Sequence, residues 1–162
     1  MLPDGFIPQA EITSCGLNCG PLEGRGEYEA RIACNLTSGL GTVRYDFGRI
    51  VGPEHPYFTQ EDAPDGKPVQ YIANLTNDAA AGFKYFTLSG VHSISVWLRG
   101  SGEGQFTATT GIDDAAAVQI PVKPTSDWTK YTMPFFVPDG VVQLSFTFNG
   151  TGAVDFLKFE LE

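Results

Sequence analysis

The chain has 162 residues, 42% of them hydrophobic, and this length and composition suit one folded domain with its own core. Its formal net charge of −9 disfavours nucleic acid and anionic lipid as partners, because an acidic surface attracts neither. No apolar run approaches the ~20 residues of a membrane span. No signal peptide is visible at the start, so we expect a piece of a longer chain.

The first 68 residues predict an irregular extension with short strands. Loose alternation of apolar and polar residues predicts strands at 9–14, 27–36 and 42–47. Four prolines and several Asp and Gly residues predict a connecting loop at 52–68. We therefore expect residues 1–68 to form an N-terminal extension packed on a module formed by residues 69–162.

The chain has three cysteines, Cys15, Cys19 and Cys34. Their spacing is not a zinc pattern, because a second close pair is missing. Either two of them form a disulfide and leave one free, with Cys15–Cys34 as the candidate pair, or all three are thiols. The alternation around Cys34 places it on the buried face of its predicted strand.

From residue 69 onward the alternation becomes stronger and Gly and Pro interrupt it at nearly regular intervals. Small residues at 79–82 predict a flexible segment, and Pro121 predicts an edge strand. No stretch keeps the helical period, so the pattern predicts an all-β protein, a β-sandwich of the jelly-roll type. The predicted strands are 69–75, 83–88, 93–98, 105–110, 118–122 and 128–133.

The last stretch, residues 141–161, carries the strongest strand signal. Apolar residues alternate without a break as far as Phe148, and Asn149 then begins a glycine-rich turn. In the final strand, Phe156 and Phe159 have opposite parity, which predicts a β-bulge near Phe156. Asp155 lies at this change of phase, and we expect it to be hydrogen-bonded or metal-bound because a carboxylate in a buried strand needs a partner.

Motifs for an enzyme are missing from the sequence, which has no nucleophile elbow, zinc-protease motif or phosphate loop. Aromatic residues at loop-to-strand junctions are the better candidates for function. A flat ring at a loop rim can stack on the C–H face of a sugar while neighbouring amides and carboxylates bond its hydroxyls. The alternative for each ring is packing in or against the core. The candidates are Trp128, Phe83, Tyr85 and Trp97.

A series of short motifs follows one another in a recognisable order along the second part of the chain. They are G-F-K-Y-F (82–86), I-S-V-W-L-R-G (94–100), I-P-V (120–122), S-D-W-T-K-Y (126–131), D-G-V-V-Q-L-S-F-T-F-N-G (139–150) and V-D-F-L-K-F (154–159). With these motifs, the segment from Tyr71 to Leu161 resembles a family 6-like carbohydrate-binding module. The preceding residues 7–36 look like the segment before such a module at the C-terminal end of family 43 glycoside hydrolases, which trim arabinose and xylose from plant polysaccharides.

The resemblance implies a jelly-roll sandwich with a sugar site in loops at one edge. Carried over by position, Trp128 and one of Phe83 or Tyr85 would clamp a sugar, and Asn149 would bond it, although the family's Asn usually lies nearer the last strand. The family often carries a structural calcium ion, for which Asp155 is the matching ligand. The first strand offers Gln70 where an acidic residue would be expected, so calcium would bind weakly or not at all.

These observations predict a non-catalytic module that binds plant cell-wall polysaccharide, such as xylan, arabinoxylan or a related hemicellulose. Its partner would be a covalently linked glycoside hydrolase domain in a bacterial enzyme that is secreted or held at the cell surface. The alternative is a structural domain that packs on and completes a family 43-type hydrolase without binding glycan itself. A third hypothesis, a self-sufficient hydrolase, has the least support because the chain is too short for a propeller.

Overall fold

The computed structural model describes residues 20–42, 53–111 and 117–162, and thirteen β-strands and one short 3-10 helix lie in these ranges. The helix is Ala30–Ile32. The strands are β1 (Leu22–Glu23), β2 (Gly26–Glu29), β3 (Asn35–Ser38), β4 (Gly41–Thr42), β5 (Tyr57–Asp62), β6 (Pro68–Leu75), β7 (Ala79–Leu88), β8 (Ser93–Gly100), β9 (Glu103–Thr110), β10 (Ala117–Val122), β11 (Thr125–Pro134), β12 (Gly140–Thr151) and β13 (Val154–Leu161).

The strands form two sheets, and the predicted all-β sandwich is confirmed. The seven-stranded sheet has the order β10-β9-β12-β7-β3-β4, with β1 paired in parallel to β7. The six-stranded sheet has the order β11-β8-β13-β6-β5, with β2 paired to β13. The predicted edge strand with Pro121 is β10, at one end of the seven-stranded sheet.

The core lies between the two sheets and is rich in phenylalanine. Alternation along β8 turns Ile94, Val96 and Leu98 inward, and all three are fully buried. The phenylalanine rings of both sheets meet mostly edge to face or tilted, which is the arrangement that their quadrupoles favour. Seven of these rings are at most 1% exposed: Phe83, Phe86, Phe106, Phe146, Phe148, Phe156 and Phe159.

A bulge in β13 accounts for the change of parity in the last strand. Phe156 lies opposite Leu98 on β8, and Lys158 lies opposite Trp97, so Leu157 is the extra residue. Phe156 and Phe159 can therefore both point into the core, where each is 0% exposed. The bulge predicted near Phe156 is confirmed, and Leu157, the extra residue, is half-buried.

A second bulge, in β7, corrects the prediction for residues 79–88. Phe83 lies opposite Leu144 on β12 and Phe86 lies opposite Val142, so two residues of β7 face one residue of β12. Both phenylalanines thus reach the core, while Lys84 and Tyr85 lie outside. The predicted flexible segment 79–82 is the first part of this strand, because its small residues fit between β12 and β3.

The predicted strand 27–36 is wrong in its middle part. The chain forms β2, then the 3-10 turn Ala30–Ile32, then β3, and the turn buries Ala30 and Ile32 in the core. Cys34 lies between the turn and β3, where it is half-buried and disulfide-bonded. Its partner cysteine lies outside the described residues.

The predicted loop 52–68 contains the edge strand β5, which pairs with β6 from Tyr57 to Asp62. An edge strand with one half-solvated face needs little hydrophobic alternation, so its signal is weak. The predicted strand 9–14 and nearly all of the predicted strand 42–47 lie outside the described residues.

The predicted division at residue 68 does not mark a break in either sheet. Strands β1 and β3 pair with β7, while β2 pairs with β13 and β5 pairs with β6. The described part of the first 68 residues therefore belongs to the same sandwich as the rest. No helix in the described ranges is long and apolar enough to cross a membrane.

Candidate functional site

On the outer face of the six-stranded sheet, charged and aromatic side chains of the described residues contact one another. Because Ile94, Val96 and Leu98 of β8 point inward, Trp97 and Arg99 point outward from the same strand. The register places Asp155 of β13 opposite Arg99, on this same face. Charged and aromatic side chains from five neighbouring strands meet there.

We use the name Arg99 cluster for five of these side chains: Glu61, Tyr71, Arg99, Trp128 and Asp155. Each belongs to a different strand, from β5 at one edge of the sheet to β11 at the other. They are far apart in the chain and meet only because the sheet aligns their strands. Arg99, near the end of β8, lies at the centre of their contacts.

Two aromatic rings lie against the guanidinium of Arg99. Its central carbon is 4.1 Å from the centroid of the Trp128 ring and 4.9 Å from that of Tyr71. The two rings also touch each other, with centroids 5.2 Å apart and planes at 74°. This is an edge-to-face pair with a cation against both rings, a combination of two attractive interactions.

Two carboxylates hold the same guanidinium from the side. Arg99 Nη1 and Nη2 donate to Oε1 and Oε2 of Glu61 at 3.0 and 2.8 Å, which is a bidentate pair. Arg99 Nε donates to Oδ2 of Asp155 at 3.5 Å, and Asp155 Oδ1 accepts the backbone N–H of Asn74 at 3.1 Å. The prediction that Asp155 is hydrogen-bonded is confirmed.

The contacts within the Arg99 cluster shift the pKa values of three of its side chains. Hydrogen bonding from Arg99 lowers the pKa of Glu61, and hydrogen bonds from Trp128 and Tyr71 act in the same direction. The hydrogen bond to Glu61 raises the pKa of Arg99, and burial raises the pKa of the Tyr71 phenol. At neutral pH the guanidinium and the Glu61 carboxylate are therefore both charged.

A second aromatic group lies on the same face, around Trp97. Lys130 Nζ is 4.7 Å from the centroid of the Trp97 ring, and Lys158 Nζ is 4.5 Å from it. Each lysine also forms an ion pair at 3.0 Å, Lys130 with Glu160 and Lys158 with Glu27. The outer face therefore presents two tryptophans, Trp128 with one cationic side chain against its ring and Trp97 with two.

The structure does not bring the predicted sugar clamp together. Trp128 is half-buried on the six-stranded sheet. Phe83 is 1% exposed inside the core, so its predicted role is wrong. Tyr85 is 43% exposed but lies on β7 of the other sheet. The ring that meets Trp128 is Tyr71, which alternation with the buried Ile72 could have placed on the outer face.

Asn149, the predicted sugar-bonding amide, lies in β12 of the seven-stranded sheet and bonds within the protein. Its Nδ2 donates to Oδ1 of Asp78 at 2.6 Å. The next residue, Gly150, donates its N–H to Oδ1 of Asn77 at 3.0 Å. The amide therefore helps to fix the turn between β6 and β7. Its bond to a sugar stays a prediction, and the contact with Asp78 favours a structural role instead.

Gln70 and Asp155, the predicted calcium ligands, are not brought together. Gln70 Nε2 donates to Oε1 of Gln60 on β5 at 3.3 Å. Asp155 lies beside the Arg99 guanidinium, whose charge opposes a cation at that carboxylate. No group of three or more His, Cys, Asp or Glu residues in the described ranges could hold a metal ion. These two residues do not fit a calcium site, and calcium binding by the chain stays a prediction.

One curated relative aligns with almost the whole chain. A xylosidase/arabinosidase of Thermoclostridium stercorarium is 40% identical over 162 residues, which is 99% of this chain and 34% of the relative. The chain thus spans about a third of the length of the curated relative that it matches. No protein-family model matches the chain.

Solved structures share the fold. A family 6 carbohydrate-binding module from Clostridium cellulolyticum in complex with xylose superposes with a TM-score of 0.64 at 12% identity, covering 86% of this chain and 98% of that module. A family 43 arabinoxylan arabinofuranohydrolase from Bacillus subtilis, in complex with cellotetraose, gives 0.61 at 16% identity, covering 88% of this chain and 28% of that enzyme. The predicted resemblance to family 6 modules is confirmed at the level of the fold.

Proposed function

We propose that the chain is a non-catalytic carbohydrate-binding module, joined in its parent protein to a glycoside hydrolase domain. Its ligand class would be plant cell-wall polysaccharide, with xylan or arabinoxylan as the first candidates. The observation that carries the proposal is the meeting of Trp128 and Tyr71 with Glu61 and Arg99 on the outer face of a sandwich with the family 6 fold.

The chemistry of this face suits a neutral sugar. Aromatic rings stack on the C–H faces of pyranoses, and a carboxylate beside such a ring accepts hydrogen bonds from the hydroxyls. The Glu61 side chain is 39% exposed while it holds Arg99, so part of it faces solvent. A neutral polysaccharide also tolerates the net charge of −9, which disfavours anionic partners.

The comparisons support the ligand class and the setting. The C. cellulolyticum module was solved with xylose, and the T. stercorarium relative is named for activity on xylose and arabinose linkages. About two thirds of that relative lies outside the aligned part, which leaves room for a catalytic domain. Because polysaccharides of this kind lie outside the cell, we propose a secreted or cell-surface location.

Affinity electrophoresis through gels that contain xylan, arabinoxylan or β-glucan tests the proposal. We expect at least one polysaccharide to retard the wild-type chain. Trp128→Ala should migrate as in a gel without polysaccharide, whereas Tyr85→Ala, which removes an exposed ring from the other sheet, should be retarded like the wild type. If no glycan is bound even at millimolar concentration, the proposal fails.

A second function, a structural domain that packs on the hydrolase, is favoured by one observation. The Arg99 guanidinium already lies against the Trp128 ring, so the cluster satisfies its own contacts without a ligand. Under this alternative the isolated chain binds no glycan, yet it restores activity or thermal stability to a separately produced hydrolase domain of the parent protein. Binding of glycan without any such effect would favour the first function.

A further inference from the structure

We infer that Arg99 controls the access of a sugar ring to Trp128. Its guanidinium covers one face of the Trp128 indole, and Glu61 holds it there. This inference rests on the proposed function, because it names the residue that sets affinity at the same site. It goes beyond that function because it predicts that Arg99, a residue of the site itself, blocks the binding of a sugar.

The spacing of the two rings shows that the site is closed to a sandwiched sugar. A pyranose between two aromatic rings needs a contact of about 3.5–4 Å on each side, so the rings must stand roughly 7–8 Å apart and nearly parallel. The centroids of Tyr71 and Trp128 are 5.2 Å apart and their planes meet at 74°. No sugar fits between them in this arrangement.

Stacking on the Trp128 face beneath Arg99 is also obstructed. The central carbon of the Arg99 guanidinium is 4.1 Å from the Trp128 centroid, which is the distance that a stacked sugar carbon would take. A planar guanidinium can lie flat on an aromatic face and cover it. A sugar ring that approaches this face must therefore displace the arginine.

Glu61 holds the guanidinium of this arginine in place. Both terminal nitrogens of Arg99 donate to the two oxygens of Glu61, at 3.0 and 2.8 Å, which fixes the plane of the guanidinium. Asp155 adds a longer contact at 3.5 Å from the other side. Displacing the guanidinium thus breaks a bidentate ion pair as well as the contact with the indole, and both losses lower the affinity for a sugar.

Trp97 provides an internal comparison on the same face. Its neighbours are lysine ammonium groups 4.7 and 4.5 Å from the ring centroid, each on a flexible side chain. An ammonium is a compact charge that cannot cover a ring as a planar guanidinium does. Removing Lys130 therefore deletes a cation from a tryptophan on this face without touching the Arg99 cluster.

Binding of xylo-oligosaccharides, measured by calorimetry, tests the inference on the ligand side. Arg99→Ala should bind about tenfold more tightly than the wild type, because the cation no longer competes for the indole face. The double variant Arg99→Ala/Trp128→Ala should lose the gain, and Lys130→Ala should match the wild type. Unchanged or weaker binding by a folded Arg99→Ala chain would overturn the inference.

A second readout needs no ligand. The chain has two tryptophans, so in a Trp97→Phe background Trp128 is the sole tryptophan and its fluorescence reports its own accessibility. Acrylamide should quench this fluorescence more strongly after Arg99→Ala, while Lys130→Ala in the same background leaves quenching unchanged. Glu61→Gln keeps the shape of the side chain at position 61 and removes its charge. It should raise quenching by a smaller amount than Arg99→Ala does.

The two readouts separate the inference from the proposed function. If quenching rises after Arg99→Ala but no variant binds a glycan, the closed site stands and the proposed function fails. If glycan binds to the wild type but quenching and affinity are unchanged by Arg99→Ala, the proposed function stands and the inference fails. Should Arg99→Ala not fold, as circular dichroism would show, Glu61→Gln decides by the same two measurements.

Discussion

The carboxylate of Asp155 accepts the backbone N–H of Asn74 at 3.1 Å and thereby ties the last strand to the end of β6. Asn74 has a φ of 64°, a conformation that is uncommon for residues other than glycine. Its own Nδ2 donates to the backbone carbonyls of Pro53 and His55 at 2.6 and 3.1 Å. This one residue therefore links β6, β13 and the segment that leads into β5.

We predict that Asp155→Ala destabilises the fold by about 1–3 kcal/mol, because it leaves the Asn74 N–H without its acceptor. The loss of a carboxylate beside Arg99 adds to this effect. The free energy of unfolding from urea titration measures the change.

Asp155→Asn retains a side-chain oxygen and should lose less stability than the alanine variant. Asp62→Ala, at an exposed position on the edge strand β5, is the matched control and should unfold like the wild type. If Asp155→Ala also unfolds like the wild type, the hydrogen bond to Asn74 does not stabilise the fold.

The bulge in β7 predicts opposite effects for two nearby aromatic residues. Phe83→Ala should cost about 3–5 kcal/mol, since the ring is 1% exposed and its removal leaves a cavity. Tyr85→Ala, two residues away, should cost little because that side chain lies 43% exposed on the outside. Melting temperatures of the two variants compare them directly. A larger loss for Tyr85→Ala would show that the register of β7 against β12 is wrong.

The ion pair between Glu61 and Arg99 predicts a dependence of stability on pH. Because the pKa of Glu61 is lowered in the folded state, its contribution is fully present above the ordinary glutamate pKa, about 4.3. It is lost as the pH falls through the lower, folded-state pKa. The wild-type chain should therefore lose stability on acidification from about pH 5 downward partly through this residue.

Thermal melts of the wild type and Glu61→Gln from neutral to acidic pH measure that contribution. Glu61→Gln should be less stable than the wild type at neutral pH, and the two melting temperatures should converge as the pH falls. A constant difference between them across this range would mean that the charge of Glu61 does not contribute.

Asn149 should matter for stability and not for glycan binding. Its amide donates to the Asp78 carboxylate at 2.6 Å. Asn149 lies in the seven-stranded sheet, whereas Trp128 lies in the six-stranded sheet. We expect Asn149→Ala to cost about 1 kcal/mol of folding free energy, since the bond is exposed to solvent. Affinity electrophoresis should show wild-type retardation for this variant. Lost retardation with an unchanged melting temperature would place Asn149 in the binding site after all.

The strands with clear alternation were predictable because one face of each is buried. Residues 93–98 and 141–161 show this, and even the bulge near Phe156 follows from a change of parity along the chain. The edge strand β5 and the 3-10 turn at Ala30–Ile32 were not predictable in this way. The edge strand pairs through its backbone on one side, and the turn buries Ala30 and Ile32 by folding back on the core.

The candidate site was less predictable than the fold. The sequence identifies Trp128 as a ring at a loop-to-strand junction, but its neighbours come from strands that lie far away along the chain. The proximity of Tyr71 depends on the strand order of the six-stranded sheet, and that of Glu61 depends on an edge strand that the sequence suggests is a loop. The bulge in β7 turns Phe83 inward, and the opposite parity of Phe83 and Phe86 is the sequence signal that would have indicated it.

Calorimetric titration of the wild type, Trp128→Ala and Tyr85→Ala with the best-bound oligosaccharide from the polysaccharide panel tests the central claim most directly. Melting temperatures measured on the same samples establish that each variant is folded. We predict measurable binding by the wild type and by Tyr85→Ala, and a loss of at least about tenfold for Trp128→Ala. Equal affinities for all three folded chains would contradict the claim that the outer face of the six-stranded sheet binds carbohydrate through Trp128.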